Sequence, residues 1–232
     1  MITTTSSPAR LKLPEMLRHS ALSEEVQSYY RTLLRNLPWP GEEGGEPLRT
    51  LALTSCQRGT GTSTVALHLA VAAAQRGAGR VLLVDGHLDW PTLFRRLGVQ
   101  AGPGLAELIL DDLSAADVVQ AGPAPNLSVI TAGGRCDAAA VYESPFLAST
   151  IETLKTSYDL VIFDLPPTID SKGGLRLASM LDGVLLVLEA ERVRWQVAEH
   201  AAQTLLRTQC RLLGSVLNKS RRHIPGWLYR RL

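Results

Sequence analysis

Six short runs of almost unbroken apolar character mark the chain: Leu51 to Thr54, Arg80 to Asp85, Leu127 to Thr131, Leu160 to Asp164, Gly183 to Glu189 and Leu213 to Leu217. Runs this short, without polar alternation, suit strands buried on both faces. Between most of them, apolar residues recur at helical spacing: Ser63 to Gln75, Gly104 to Leu110, Pro145 to Thr156, Leu175 to Leu181 and Val193 to Gln209. Strand alternating with helix predicts an α/β fold, a three-layer sandwich with a mainly parallel sheet and helices on both faces. The ligand site of such a sheet lies beyond the C-terminal ends of its strands. Ahead of this pattern, SEEVQSYYRTLLRNL from Ser23 to Leu37 has a serine N-cap candidate, early acids and late arginines, which predicts a helix matched to its own dipole. The turn-rich PWPGEEGGEP then breaks it and leaves that helix as an outrigger.

Composition adds boundaries. A chain of 232 residues, 45% apolar and 20% charged, is long enough for one large core. The expected division is a flexible arm over 1–20, one domain over 21–220 and a basic, aromatic tail over 221–232. Cys56, Cys136 and Cys210 are widely spaced, show no metal-ligand pairing and suit a reducing compartment. The polar start, broken by Pro8 and Pro14, predicts no signal peptide, and no apolar run reaches the roughly 20 residues of a membrane span. A cytoplasmic location is expected. The net charge of +2 is uneven, because Lys219, Arg221, Arg222, Arg230 and Arg231 make the last fourteen residues +5 and leave −3 elsewhere. Only the tail therefore suggests an acidic partner: peripheral contact with an anionic membrane face or an acidic protein patch, or else plain packing of Ile224, Trp227 and Leu228. No nucleic-acid partner is expected.

The chemistry concentrates at strand ends. Thr54 to Thr64, TSCQRGTGTST, lies between the first strand and the first long helix and reads as a phosphate-binding loop. Small residues there let successive backbone N–H groups face phosphate oxygens, while the helix adds its positive dipole end. In the pattern G-x-x-x-x-G-K-[ST], Gly61 and Ser63 match, Cys56 replaces the first glycine, and Thr62 stands at the lysine. Two later strands end on an acid, Asp85 and Asp164. An acid in that position beside a phosphate loop holds Mg²⁺ or positions a nucleophile, or else it caps a loop.

Gly59 to Thr64, VLLVDGHLDWP, YDLVIFDLPP, DGVLLVLEAERV and GSVLNKSRRHIPGWLYRRL occur in the order of, and together resemble, the motifs of the bacterial tyrosine-kinase family of capsular and exopolysaccharide biosynthesis, a branch of the deviant-Walker P-loop ATPases. The resemblance runs from about Ser23 to the C-terminus. It implies a P-loop NTPase-like fold and ATP or ADP with Mg²⁺ as cofactor. By the same resemblance, Arg58, Gly59, Thr60, Gly61, Thr62, Ser63 and Thr64 form the nucleotide cradle and Asn218 recognises the base. Asp85 and Asp164 are implied as catalytic carboxylates, and Ser63, Asp85 and Asp164 as the metal-binding set. The implied partner is a membrane chain-length regulator or another polysaccharide-export protein, and self-association into a homo-oligomer is implied as well.

Against the family pattern TSAxPGEGKST, Arg58 replaces proline, Thr60 the acid and Thr62 the lysine. Against VLLIDADLRRP, His87 replaces the second aspartate and Asp89 an arginine. The family's Asp-Ala pair, counted back from Asp182-Gly183, falls on Gly173-Gly174, with Asp170 nearby. In the ring motif E-x-x-R-x-x-R, Ser28 takes the glutamate and Leu34 the second arginine, while Arg31 is kept and Arg35 lies one place along. The tail holds a single tyrosine, Tyr229, in place of a cluster. A charge-assisted hydrogen bond is worth roughly 1.5 to 3 kcal/mol, so loss of lysine weakens nucleotide binding by about one to two orders of magnitude. Phosphoryl transfer is more exposed, since positioned charge there is worth about 10³ or more. The expectation is a catalytically impaired regulator with weak nucleotide binding. Two alternatives stand beside it: an active autokinase in which Arg58 or another cation replaces lysine, and a partition- or division-type switch ATPase. His87 is open between a metal ligand and a loop histidine.

Overall fold

The computed structural model describes residues 24–38, 48–111, 113–134 and 136–220. The N-terminal arm, the cap at Ser23, most of the turn-rich segment after the first helix, and the basic tail with Tyr229 lie outside the described residues.

Seven strands form one sheet: β1 (Thr50–Ser55), β2 (Val81–Asp85), β3 (Val119–Ala121), β4 (Leu127–Ile130), β5 (Leu160–Asp164), β6 (Gly183–Glu189) and β7 (Leu212–Asn218). Their order is β3-β4-β2-β5-β1-β6-β7, parallel throughout except for β3, which runs antiparallel to β4 at one edge. The described helices are α1 (Glu24–Arg35), α2 (Thr62–Arg76), α3 (Leu93–Leu97), α4 (Leu105–Leu110), α5 (Ala115–Val118), α6 (Ala138–Glu143), α7 (Leu147–Ser157), α8 (Lys172–Ser179) and α9 (Trp195–Arg207).

Successive strand side chains point to opposite faces, so each apolar run feeds two cores. Leu51 and Leu53 of β1, Val81 and Leu83 of β2, and Ile162 of β5 pack with α1, α2 and α3. Ala52, Leu82, Val84, Val161 and Phe163 face the other way, against α4, α6, α7, α8 and α9. The three-layer expectation holds.

Several elements differ from the pattern read along the chain. Strand β3 and helices α3, α5 and α6 were not expected; each is six residues or fewer, too short for a periodicity to stand out. Helix α8 starts three residues before the expected Leu175, capped by Ser171, whose Oγ accepts from Gly174 N–H at 2.9 Å. Gly173 and Gly174 stand where the family pattern has its Asp-Ala pair. In the fold a Cβ on Gly173 would lie 2.1 Å from the Tyr142 ring and one on Gly174 2.9 Å from Pro166, so the glycines serve close packing of α8. Leu34, at the second arginine of the ring motif, is fully buried in the core beneath α1.

Candidate active site

Strands β2, β5 and β1 are neighbours, and their C-terminal ends bring three sequence-distant pieces together. Ser55 leads from β1 into the phosphate loop, while Asp85 of β2 stands in register with Asp164 of β5. Above them opens a cleft of about 460 Å³ lined by Arg58 to Ser63, His87, Trp90, Arg96 and Asp170, among others.

The loop has the shape its glycines require. Gly59 and Gly61 adopt φ of 83° and 91°, a left-handed conformation that glycine enters without steric cost. Gly61 is the N-cap of α2, whose first-turn N–H groups no side chain caps, the arrangement that suits an anion. Thr62 is buried, and its hydroxyl lies 3.0 Å from that of Thr60. No cation therefore enters the cradle from the loop position where lysine is expected. Cys56 is buried beneath, a small filler.

From the far side, Asn218 and Lys219 clamp the loop. Asn218 Nδ2 donates to Thr60 O at 2.8 Å, and Lys219 Nζ donates to Gly59 O at 2.6 Å while pairing with Glu189 at 3.2 Å. Asn218 thus contacts the loop but does not line the cleft.

The two aspartates differ in their surroundings. Both are fully buried. Asp85 Oδ1 accepts from His87 N–H at 3.0 Å and Oδ2 from Leu93 N–H at 3.1 Å, so its carboxylate organises the loop from β2 into α3. Asp164 accepts no hydrogen bond on either oxygen among the described residues. Burial raises both carboxyls above the usual carboxylate range. For Asp85 the charge of Asp164 adds to the rise; for Asp164 the nearby Ser63 hydroxyl and Arg96 guanidinium act against it. Burial pushes the His87 imidazole below its ordinary range.

Two cleft residues, Arg96 and Trp90, were not singled out by motif matching. Arg96, one turn into α3, donates from Nη1 to Thr64 Oγ1 at 2.9 Å. Trp90 lies under the Arg58 guanidinium, 5.6 Å from the ring centroid, and Arg58 Nε pairs with Asp170 Oδ2 at 2.7 Å. Tyr142 donates its hydroxyl to Gly86 O at 2.6 Å, which ties α6 to the β2 loop. The Arg95-Arg96 pair soon after the second motif was the available signal for Arg96. Its reach toward the phosphate loop depends on α3, which the pattern did not reveal.

An acid with two unpaired oxygens, buried beside a hydroxyl and an anion cradle, fits a divalent cation with a phosphate ligand. A cation there would meet Ser63 and Asp164. Asp85 instead fixes the loop from β2 into α3 by accepting the His87 and Leu93 backbone N–H groups.

The family model described as ParA, NUBPL iron-transfer P-loop NTPase, matches residues 48–226. Tyrosine-protein kinase YwqD of Bacillus subtilis is 30% identical over 190 residues, covering 82% of this chain and 79% of that protein. The succinoglycan biosynthesis transport protein ExoP of Rhizobium meliloti is 27% identical over 183 residues, 76% of this chain and 23% of that protein. The crystal structure of the chimerical protein CapA2B2 superposes with a TM-score of 0.81 at 25% identity, covering 91% of this chain and 92% of that one. With its P-loop before α2, its paired strand-end aspartates and these relatives, the chain belongs to the bacterial tyrosine-kinase branch of the ParA-type P-loop NTPases.

Proposed function

We propose that this protein binds ADP or ATP with Mg²⁺ in the cleft, weakly, and acts in exopolysaccharide assembly or export as a regulator whose tyrosine-kinase activity is impaired. The observation that carries the reading is the buried Thr62 at the lysine position, hydrogen-bonded within the loop. The backbone amides from Gly59 to Ser63 and the start of α2 bind phosphate; Ser63 and Asp164 hold the metal. Mg²⁺, when bound, supplies charge neutralisation at the phosphates. Asn218 Nδ2 spends one N–H on Thr60 O, so its second N–H and its carbonyl oxygen are the groups it offers a base. Arg96 is the cation of this chain placed to approach the phosphates, while Arg58, held by Asp170, guards the mouth. Polysaccharide involvement and a membrane chain-length regulator as partner follow from likeness to proteins such as ExoP.

The test is binding of a fluorescent ADP analogue to the protein and to Thr62→Lys. A gain of about 10- to 100-fold in the variant is expected from one restored charge-assisted bond; equal affinity in the two proteins refutes the missing charge as the limiting defect. Radiolabelled ATP addresses the impairment. No label on tyrosine is expected, and label that Asp164→Asn removes would assign an active autokinase instead.

A further inference from the structure

His87 takes the place of the second aspartate in the β2 motif, and the fold gives it an environment unlike that of a solvated loop histidine. Its backbone is pinned by Asp85. Its Nε2 is buried with no hydrogen-bond partner among the described residues and lies 3.8 Å from Asp164 Oδ1, itself buried and without a partner. That separation is too long for a hydrogen bond. In the tautomer that carries its proton on Nδ1, Nε2 offers a lone pair to a ligand. Bonds of about 2.0–2.2 Å place two donors on one ion roughly 3–4 Å apart.

We propose that His87 Nε2, an Asp164 oxygen and the Ser63 hydroxyl form a mixed nitrogen and oxygen metal site that selects a first-row transition ion, such as Co²⁺ or Zn²⁺, over Mg²⁺. Imidazole is a borderline ligand that Mg²⁺ accepts poorly, whereas an aspartate in its place suits Mg²⁺. Each Asp85 oxygen already accepts a backbone N–H, so Asp164, with both oxygens unpartnered, is the more available carboxylate. Among the described residues no three His, Cys, Asp or Glu side chains form a metal cluster, so the shell is completed by water or by the phosphates of the nucleotide proposed above, and to that extent the inference rests on that reading.

The experiment uses the full chain with Co²⁺ as probe, with and without ADP. Co²⁺ ligated by Nε2 shifts the exchangeable Nδ1 proton of His87 far outside the normal proton NMR range. That resonance is expected in the wild type and is expected to vanish in His87→Asp. In competition, the Mg²⁺ excess needed to displace Co²⁺ should fall at least about tenfold in His87→Asp. Failure of the variant to fold leaves the wild-type spectrum to decide. Co²⁺ bound without the shifted resonance, or no Co²⁺ bound at all, overturns the proposal. A separate fluorescence titration with the ADP analogue reports nucleotide binding. Nucleotide bound without histidine ligation sinks only the metal site; histidine ligation without nucleotide binding sinks only the nucleotide reading.

Discussion

Asp164→Asn sets stability against function. The wild-type side chain is fully buried, with neither oxygen hydrogen-bonded, and burial raises its carboxyl from 3.8 to about 7. Because the folded value lies above the unfolded one, the folded state binds the proton more tightly. The contribution is fully present below about pH 4 and is lost as the pH rises through about 7. The charge therefore costs the folded state at most about 4 kcal/mol at pH 8. Asparagine removes that cost but leaves an amide to satisfy, at about 1–3 kcal/mol. The expected net is stabilisation of about 1–3 kcal/mol at pH 8, or roughly 2–12 °C in Tm at 2–4 °C per kcal/mol for a chain of this size. At pH 5 the gain should disappear. Thermal unfolding followed by circular dichroism at both pH values, with and without 5 mM-range Mg²⁺ or Co²⁺ and ADP, measures it. The metal should raise Tm in the wild type and not in the variant. A variant that is less stable than wild type at pH 8, or one that keeps the metal-dependent rise, refutes the assignment of Asp164 as an unpaired ligand held in place for a cation.

Other substitutions test the remaining supports. Gly61→Ala places a Cβ 2.4 Å from Asn218 Nδ2 at a φ of 91°; a stability loss of about 1–3 kcal/mol in urea titration and loss of nucleotide-analogue binding are expected, and unchanged binding would contradict the loop's role. Arg96→Ala should weaken that binding about tenfold, with Arg96→Lys intermediate, if its guanidinium is the phosphate-side cation. Tyr142→Phe deletes the bond to Gly86 O and leaves a buried carbonyl unpaired, for a loss of about 1–3 kcal/mol. Asp182 takes N–H bonds from Arg49 and Thr50 at 2.9 and 2.8 Å and pairs with Lys155 at 3.0 Å. These interactions hold its carboxyl below its ordinary range despite partial burial, so its contribution is present above about pH 4 and is lost as the pH falls. Accordingly, Asp182→Ala should be destabilising at pH 7, and its deficit relative to wild type should shrink at acid pH.

The strands and their faces were legible in the sequence because a parallel strand covered on both sides has no polar position to spare. Leu51 to Thr54 and Leu160 to Asp164 could therefore be placed within a residue or two. The phosphate loop was legible because its chemistry is local: glycines at Gly59 and Gly61 and a hydroxyl at Ser63 act through adjacent backbone. Thr62 was recognisable as a missing charge for the same reason. Other features depended on residues far apart in the chain. Register between β2 and β5 puts Asp85 beside Asp164, and it is the backbone amides of His87 and Leu93 that satisfy one carboxylate and leave the other bare. No pattern in either strand distinguishes the two acids. Arg96 of α3 reaches Thr64 of α2, and the His87 ring comes to lie beside Asp164 while Asp85 holds the His87 backbone. The sequence by itself determined the layers and the loop, through local geometry and apolar periodicity. Only the tertiary structure decided which carboxylate is free to meet a cation, because that depends on long-range hydrogen bonds and burial at the junction of three strands.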